Sequence, residues 1–257
     1  RYPVPGMRGH IVDASGSSLV ENQPVFDLVV VKAEFDKKNL DLLSSLIGGP
    51  VTMGNVGVEA LRRDIPKPLA ISIQAANLSG VYIVPTARRI YPYGSAMAHV
   101  LGYTSEVRQD EVDGNSTYHP GDRLGRTGIE KSYETYLHGA LDSVSLIPDS
   151  PLVVSEDKPA DTVHLTIDAE LQKHLYDATT SIFREHGVTR GAAIVQRVKT
   201  GEILGIVSIP SFDPNAITTK LLSDANRPLF NRAISGLYSP GSTIKPLYAL
   251  AGLKEHI

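Results

Sequence analysis

The residues that could do chemistry stand near the end of the sequence, within YSPGSTIKP at 238–246. Ser242 and Lys245 are three residues apart, so on a helix their side chains share a face, with Cβ atoms about 5 to 6 Å apart. A serine hydroxyl needs a base to attack a carbonyl at neutral pH, and a lysine can serve when burial lowers its pKa. At a helix start, free N–H groups can also stabilise an oxyanion. The spacing is therefore compatible with an acyl-transfer nucleophile and its base.

The spacing alone leaves a second interpretation open. A serine at a helix start is also a common cap, and a lysine one turn later is ordinarily solvated. The same spacing recurs at Ser155 and Lys158, where SEDKPA offers no apolar helix to desolvate the lysine. Because such short motifs recur by chance, catalysis and capping both remain possible for Ser242 on this pattern.

Other polar motifs favour structural roles. Lys199 and Thr200 lie between two apolar runs, GAAIVQRV and GEILGIVSI, and Gly201 begins the second run, which is the pattern of a β-hairpin turn. Arg88 and Arg89 could hold an anion, but structural ion pairs are the commoner role. The eight histidines show no paired spacing and cysteine is missing from the sequence, so neither a metal site nor a cofactor site is predicted.

Composition limits the function classes. The 257 residues are 42% hydrophobic and 21% charged, with a formal net charge of −3, which indicates a globular protein without a nucleic-acid-binding surface. No apolar run reaches the roughly 18 to 20 residues that span a bilayer. Since the sequence opens on RYPVPGMRGH without an initiating Met, we expect that any membrane anchor precedes it.

Local patterns predict a mixed α+β fold. Apolar β-branched runs indicate strands at 25–31 and 81–85, and helical spacing indicates helices at 37–47, 56–63 and 129–137. The polar stretch from Thr104 to Asp122 predicts a long surface loop.

The charged stretch from Ser155 to Thr162 is the predicted domain boundary, which divides the chain into residues 1–160 and 161–257. Beyond it, Asp168 is placed to cap a helix that Gly187 ends. The predicted apolar face of that helix consists of Leu171, Leu175, Ala178 and Ile182.

Five segments, in this order and spacing, resemble the class B penicillin-binding proteins, most nearly those of the cell-elongation machinery. Three lie in the first part of the chain: MRGHIVDASGSSLVEN at 7–22, RRIYPYGSAMAHVLGY at 88–103 and GRTGIEKSYETYLHG at 125–139. VHLTIDAELQ at 163–172 resembles the entry into the transpeptidase domain. RPLFNRAISGLYSPGSTIKP at 227–246 is similar to the segment that carries the nucleophile.

The resemblance implies a fold, a reaction and a location. Residues 1–160 would be a non-catalytic domain, the pedestal, and residues 161–257 the first part of a serine D,D-transpeptidase domain. Ser242 would be the nucleophile and Lys245 the general base in cross-linking peptidoglycan stem peptides, and β-lactam antibiotics would acylate the same serine. The protein would lie outside a bacterial plasma membrane, held by one N-terminal anchor. Its pedestal would bind a glycosyltransferase and a rod-shape scaffold protein.

Some positions depart from the family pattern. Ala14 stands where the opening motif usually has arginine, and Ser239 replaces a common proline. The family also has S-x-N and K-T-G motifs far downstream of the serine, and neither follows Ser242 in this sequence. We therefore expect this chain alone to acylate poorly, because these motifs supply an oxyanion donor and the substrate-binding edge.

Two alternative functions remain. The nucleophile segment also resembles S-T-x-K of class D β-lactam hydrolases and sensors, although those proteins lack a pedestal. The chain could instead be a non-catalytic module that binds cell-wall synthesis partners through the pedestal.

Overall fold

The computed structural model describes residues 2–4, 6–54, 56–114, 118–119, 121–139, 142–146, 152–154 and 160–256. The strands are β1 (Tyr2–Val4), β2 (Ile11–Val12), β3 (Glu21–Val31), β4 (Val58–Ile65), β5 (Val81–Ile90), β6 (Thr104–Glu106), β7 (Arg123–Gly125), β8 (Asp142–Ser145), β9 (Leu152–Val154), β10 (Val163–His164), β11 (Gly191–Gln196) and β12 (Ile203–Ile209). The α-helices are α1 (Leu40–Ile47), α2 (Lys67–Ala75), α3 (Ala98–Leu101), α4 (Gln109–Gly114), α5 (Gly128–Ser132), α6 (Glu134–Leu137), α7 (Ala169–Glu185), α8 (Thr219–Leu222), α9 (Arg232–Ser235) and α10 (Lys245–Lys254). Short 3₁₀ turns span Lys37–Asn39, Gly94–Ala96 and Gly241–Ile244. The mixed α+β prediction is confirmed.

The pedestal contains an antiparallel sheet in the order β4-β3-β5. Leu28 and Val30 of β3 are buried against α1 and α2, while Val29 points to the opposite face of the sheet. The predicted strands at 25–31 and 81–85 and the predicted helix at 37–47 are confirmed. Gly48 ends α1 in the left-handed conformation, with a φ of 67°, which glycine adopts without steric cost.

The prediction of a helix at 56–63 is wrong, because this segment contains most of strand β4. Val58 lies opposite Val31, and the two strands pair antiparallel with two register shifts. Pairing with β3 satisfies the N–H and C=O groups on one edge of that strand, and this long-range gain outweighs a weak local helical pattern.

The prediction of a loop at Thr104–Asp122 is also wrong in part. Strand β6 pairs antiparallel with β7, and α4 follows β6. The Arg126 guanidinium links α4 to β6, since it donates to the Glu111 side chain of α4 and to the Glu106 carbonyl of β6. Residues 115–117 and 120 of this stretch lie outside the described residues.

The predicted helix at 129–137 is divided into α5 and α6. Tyr133 separates them with a φ of −112°, outside the helical range. Both pieces direct a glutamate to the Arg8 guanidinium, Glu130 from α5 and Glu134 from α6.

In residues 161–257, the capped helix and the hairpin are confirmed. The Asp168 carboxylate accepts a hydrogen bond from the Leu171 N–H at 2.9 Å and caps α7, and Gly187 follows the helix with a φ of 65°. Strands β11 and β12 pair antiparallel, and α7 packs on β12. Lys199–Gly201 lie in the turn between the two strands, where Thr200 donates to Glu202.

The predicted buried face of α7 is wrong in part. Ala178 and Ile182 are exposed, whereas the polar Gln172 is fully buried. The Gln172 amide accepts from the Ile206 N–H at 2.7 Å and donates to the Ile206 and Ala96 carbonyls at 2.9 and 2.6 Å. A buried amide is stable when its hydrogen bonds are satisfied, so the helix turns this polar side chain inward.

The two parts of the chain share a core. Strand β10 pairs parallel with β2 of the pedestal, and Val163 and Ile167 pack among pedestal residues such as Leu101. The predicted boundary at Ser155–Thr162 lies largely outside the described residues, because 155–159 are not among them. The division at residue 160 stays a prediction.

Candidate active site

Ser242 and Lys245 lie one turn apart on a continuous helical path. Ser242 belongs to the 3₁₀ turn Gly241–Ile244, which we call the nucleophile turn, and Lys245 begins α10 directly after it. The Lys245 N–H donates to the Ser242 carbonyl, which fixes the two backbones relative to each other. Gly241 enters the turn with a φ of 53°, a conformation that favours glycine. The predicted pair is therefore brought together.

The environment of the pair is open. Both side chains are exposed, and within the described part of the chain no carboxylate lies within 4.0 Å of Lys245. Thr243, between them, donates its hydroxyl to the Pro240 carbonyl. The described residues thus provide a hydroxyl and an amine without the burial that activation of a lysine base requires.

Helix α10 continues from Lys245 without burying any of its residues. Four large apolar side chains are 63 to 73% exposed on it: Leu247, Tyr248, Leu250 and Leu253. A helix with apolar side chains around it is ordinarily surrounded by other elements, so this exposure distinguishes α10 from α1 and α2 of the pedestal, each of which buries two residues.

The segment that leads to the nucleophile turn is anchored by Arg232, which is 6% exposed. Its guanidinium donates to the carbonyls of Asn226, Arg227 and Phe230 at 2.6, 3.1 and 3.2 Å. It also lies 5.7 Å from the Phe230 ring centroid, a cation–π distance. Burial, reinforced by the nearby Arg190, lowers the pKa of Arg232 from its usual value. Arg232 holds the loop at 226–231 in a closed shape.

A second polar centre lies inside the pedestal and was only partly predicted. Arg8 contacts Glu130 and Glu134 at 2.8 and 2.7 Å, and Arg89 contacts Glu130 at 2.8 Å. Burial by itself lowers the pKa of Arg8, but hydrogen bonds and charge from the two glutamates outweigh it and raise that pKa. Burial beside Glu130 likewise raises the pKa of Tyr91. We call Arg8, Arg89, Glu130 and Glu134 the pedestal charge cluster.

The structural role predicted for Arg89 is confirmed by its ion pair, whereas Arg88 is exposed and donates to Gln23 at 2.7 Å. Sequence reasoning missed that Arg8 and Glu130, 122 positions apart, meet. One signal in the sequence could have indicated this contact: all members of the cluster lie in the three N-terminal segments that carry the family resemblance.

The same segments meet with little space between backbones. A Cβ on Gly102 would lie 1.9 Å from the Thr127 carbonyl oxygen, and one on Gly139 would lie 2.4 Å from the Met7 carbonyl oxygen. Only glycine fits at these positions without displacing the backbone. The glycines of the motifs therefore serve the packing that assembles the charge cluster.

This arrangement, a compact pedestal followed by a serine–lysine turn, agrees with two family models. Residues 3–150 match the penicillin-binding protein dimerisation domain, and residues 191–257 match the penicillin-binding protein transpeptidase domain. The chain therefore belongs to the penicillin-binding proteins that combine a dimerisation domain with a transpeptidase domain.

Several relatives carry a more specific name. The chain is 31% identical to the peptidoglycan D,D-transpeptidase MrdA of Escherichia coli, over 99% of this chain and 45% of the relative. It is 29% identical to MrdA of Acinetobacter baumannii, over 98% of this chain and 41% of the relative. It is 33% identical to penicillin-binding protein 3 of Bacillus subtilis, over 96% of this chain and 40% of the relative. The chain thus spans less than half the length of these relatives.

Solved structures show the same fold. Penicillin-binding protein 2 from Helicobacter pylori superposes with a TM-score of 0.73 at 24% identity, covering 98% of this chain and 53% of that chain. The structure of that protein in complex with MreC gives a TM-score of 0.77 at 23% identity, covering 98% of this chain and 52% of the other.

Proposed function

We propose that this chain is the N-terminal part of a peptidoglycan D,D-transpeptidase in which Ser242 is the nucleophile and Lys245 the general base. The observation that carries the proposal is the serine–lysine turn inside a segment that matches the transpeptidase family, on a chain whose other half matches the dimerisation domain. The dimerisation match argues against the class D hydrolase or sensor, because those proteins resemble only the nucleophile segment.

The proposed reaction has two acyl-transfer steps. The Ser242 hydroxyl oxygen attacks the carbonyl of the penultimate D-Ala of a stem peptide, and its proton passes to the Lys245 amine. The peptide bond breaks, and the terminal D-Ala takes up a proton and leaves as the free amino acid. An amine of a neighbouring stem peptide then attacks the serine ester, which forms the cross-link and returns the hydroxyl to Ser242. A β-lactam would follow the first step, with its ring amide in place of the peptide bond.

The exposed pair implies that further groups complete the site. We propose that additional residues of a longer polypeptide cover the apolar side chains of α10, bury Lys245 and supply an oxyanion donor. The relatives, more than twice as long as their matched part, support this. Removing one oxyanion donor costs a serine enzyme about 10² to 10³ in rate. This chain alone should therefore acylate slowly even with Ser242 in place.

For location and partners we propose a protein on the outer side of a bacterial plasma membrane, held by an N-terminal anchor. Among the residues that the structure describes, no helix is both long and apolar enough to cross a bilayer. A rod-shape scaffold as pedestal partner is supported by the Helicobacter pylori penicillin-binding protein 2, which was solved in complex with MreC. A glycosyltransferase partner rests on the family resemblance.

The test of the nucleophile uses a polypeptide of the relatives' length and a fluorescent penicillin. Ser242→Ala should lower the acylation rate by at least about a thousandfold, because it removes the attacking oxygen and the neighbouring Thr243 hydroxyl is bonded to the Pro240 carbonyl. Ser239→Ala is the matched control, since Ser239 is also exposed and lies three residues earlier, and it should label like the wild type. Equal labelling of the wild type and Ser242→Ala would refute the proposal.

A second candidate function is a non-catalytic binding module that acts through the pedestal. It is favoured by the apolar cluster that joins α1 and α2 to the β4-β3-β5 sheet and by the charge cluster, both of which lie entirely within residues 1–160. Capture of a purified rod-shape scaffold protein by a polypeptide of the relatives' length that penicillin does not label would support it. Loss of capture in a variant with a disrupted pedestal surface but normal labelling would separate the two functions.

A further inference from the structure

The side-chain amide of Asn231 joins the pedestal to the segment that carries the nucleophile. Its oxygen accepts a hydrogen bond from the Ala233 N–H at 3.1 Å and caps α9. Its nitrogen donates to the His99 carbonyl in α3 of the pedestal at 3.3 Å. One side chain therefore sets both where α9 begins and where that helix lies against the pedestal.

The pedestal side of this contact is itself well fixed. The His99 ring meets Phe212 edge-on with ring centroids 5.2 Å apart, and Phe212 is buried. The neighbouring Ser95 carbonyl accepts from the Ser211 hydroxyl at 2.7 Å. Asn215 exchanges two hydrogen bonds with the Tyr91 backbone at 2.9 and 3.0 Å. The residues around His99 thus form a rigid support for the segment after β12.

From α9 the chain returns to the nucleophile turn through a tight connection. A Cβ on Gly236 would lie 2.4 Å from the Arg232 carbonyl oxygen and 2.4 Å from the Tyr238 ring, so both approach this glycine closely. The Arg232 N–H also donates to the Ser208 hydroxyl of β12 at 2.9 Å. A displacement of α9 would therefore reach Tyr238, which lies four residues before Ser242.

We propose that Asn231 is a positioning residue through which the pedestal sets the nucleophile turn. The proposal rests on the proposed function of Ser242. Loss of the Asn231–His99 hydrogen bond frees α9 from the pedestal while the internal contacts of Arg232 and Ser208 remain. The consequence is a nucleophile that samples more orientations, which lowers the rate of acylation and leaves recognition of the β-lactam unchanged.

The decisive variant is Asn231→Asp. Aspartate keeps an oxygen to cap α9 but replaces the donor to the His99 carbonyl with a second acceptor. The matched control is Asn226→Asp, which makes the same chemical change five residues earlier on an exposed side chain. Among the described residues, the Asn226 side-chain oxygen accepts from Arg190 alone, at 3.4 Å. Both variants are made in this chain and in a polypeptide of the relatives' length.

In this chain, hydrogen exchange of the amides of residues 232–244 is the first readout. Asn231→Asp should exchange at least about fivefold faster there, with pedestal amides unchanged, and Asn226→Asp should match the wild type. In the longer polypeptide, the acylation rate constant of Asn231→Asp should fall by about tenfold to a hundredfold, with the dissociation constant of the non-covalent β-lactam complex unchanged.

Wild-type exchange in Asn231→Asp, or equal effects of the two variants, would overturn the positioning role. So would a weakened non-covalent complex at an unchanged acylation rate. If the wild type were not acylated at Ser242 while Asn231→Asp still accelerated exchange, the proposed nucleophile would be wrong and the coupling to the pedestal would stand.

Discussion

The pedestal charge cluster and the nucleophile turn use polar residues in opposite ways. In the cluster, Arg8, Arg89 and Glu130 are buried and each charge meets an opposite one within 3 Å. At the turn, Ser242 and Lys245 are exposed and no ion pair joins Lys245 to another described residue. Buried ions are retained only when they are paired, whereas a reactive pair must stay available to a substrate. The difference indicates that paired, buried charges hold the pedestal together, whereas the proposed reactive pair of the turn is left open to further groups.

The largest expected effect on stability comes from a change in the pedestal charge cluster. Glu130→Gln keeps the size of the side chain but leaves two buried guanidinium groups short of negative charge. We expect a loss of about 3 to 5 kcal/mol in the free energy of unfolding, measured by urea denaturation followed by circular dichroism. Glu111→Gln, which removes the two partly exposed ion pairs that Glu111 of α4 makes with Arg108 and Arg126, is the control and should cost far less. Similar losses in the two variants would show that the buried cluster is not special.

An intermediate effect concerns His99, at the contact between the two regions. Burial lowers the pKa of His99 to about 4, from an ordinary value of 6.5. His99 therefore takes up a proton near pH 6.5 in the unfolded chain but only near pH 4 in the folded chain. The free energy of unfolding thus decreases as the pH is lowered from 6.5 to 4, and it increases as the pH is raised through the same range. The loss is at most about 3 kcal/mol for this one group.

Urea denaturation at several pH values between 7 and 4 measures this dependence. His99→Gln should flatten it, while the exposed His174 offers a control substitution, His174→Gln, that should leave it as in the wild type. A wild-type slope in His99→Gln would contradict the buried, neutral histidine.

The smallest expected effect concerns helix α10, which follows the nucleophile turn. Leu250 of α10 is 63% exposed, so Leu250→Ser should change the unfolding free energy of this chain by about 0.5 kcal/mol or less. In a polypeptide of the relatives' length, the same substitution should cost about 2 kcal/mol or more, because the proposed additional residues bury the side chain. Equal effects in the two proteins would indicate that α10 stays uncovered.

Short-range patterns predicted much of the fold. Strands β3 and β5, helix α1, the cap at Asp168 and the hairpin after α7 all follow from residues that are neighbours in the sequence. Strand β4 was missed because its conformation depends on pairing with β3, from which it is separated in the sequence by helix α1. Gln172 was missed for the same kind of reason, since its partners lie at Ala96 and Ile206.

The candidate site shows the same limit. The three-residue spacing of Ser242 and Lys245 predicts their place on one turn, and the structure brings them together there. Spacing could not reveal that Asn231 contacts His99, because 132 positions separate the two residues. Spacing also could not distinguish a catalytic serine from a capping serine, so the roles of nucleophile and base are proposals.

The most direct test of Ser242 as the nucleophile is to locate the acyl group. A polypeptide of the relatives' length is incubated with benzylpenicillin, digested, and analysed by tandem mass spectrometry for the residue that carries the penicilloyl adduct. We predict a single adduct on Ser242 that disappears when hydroxylamine cleaves the ester. An adduct on another serine, or an intact unmodified Ser242 peptide under conditions where the protein is acylated, would contradict it.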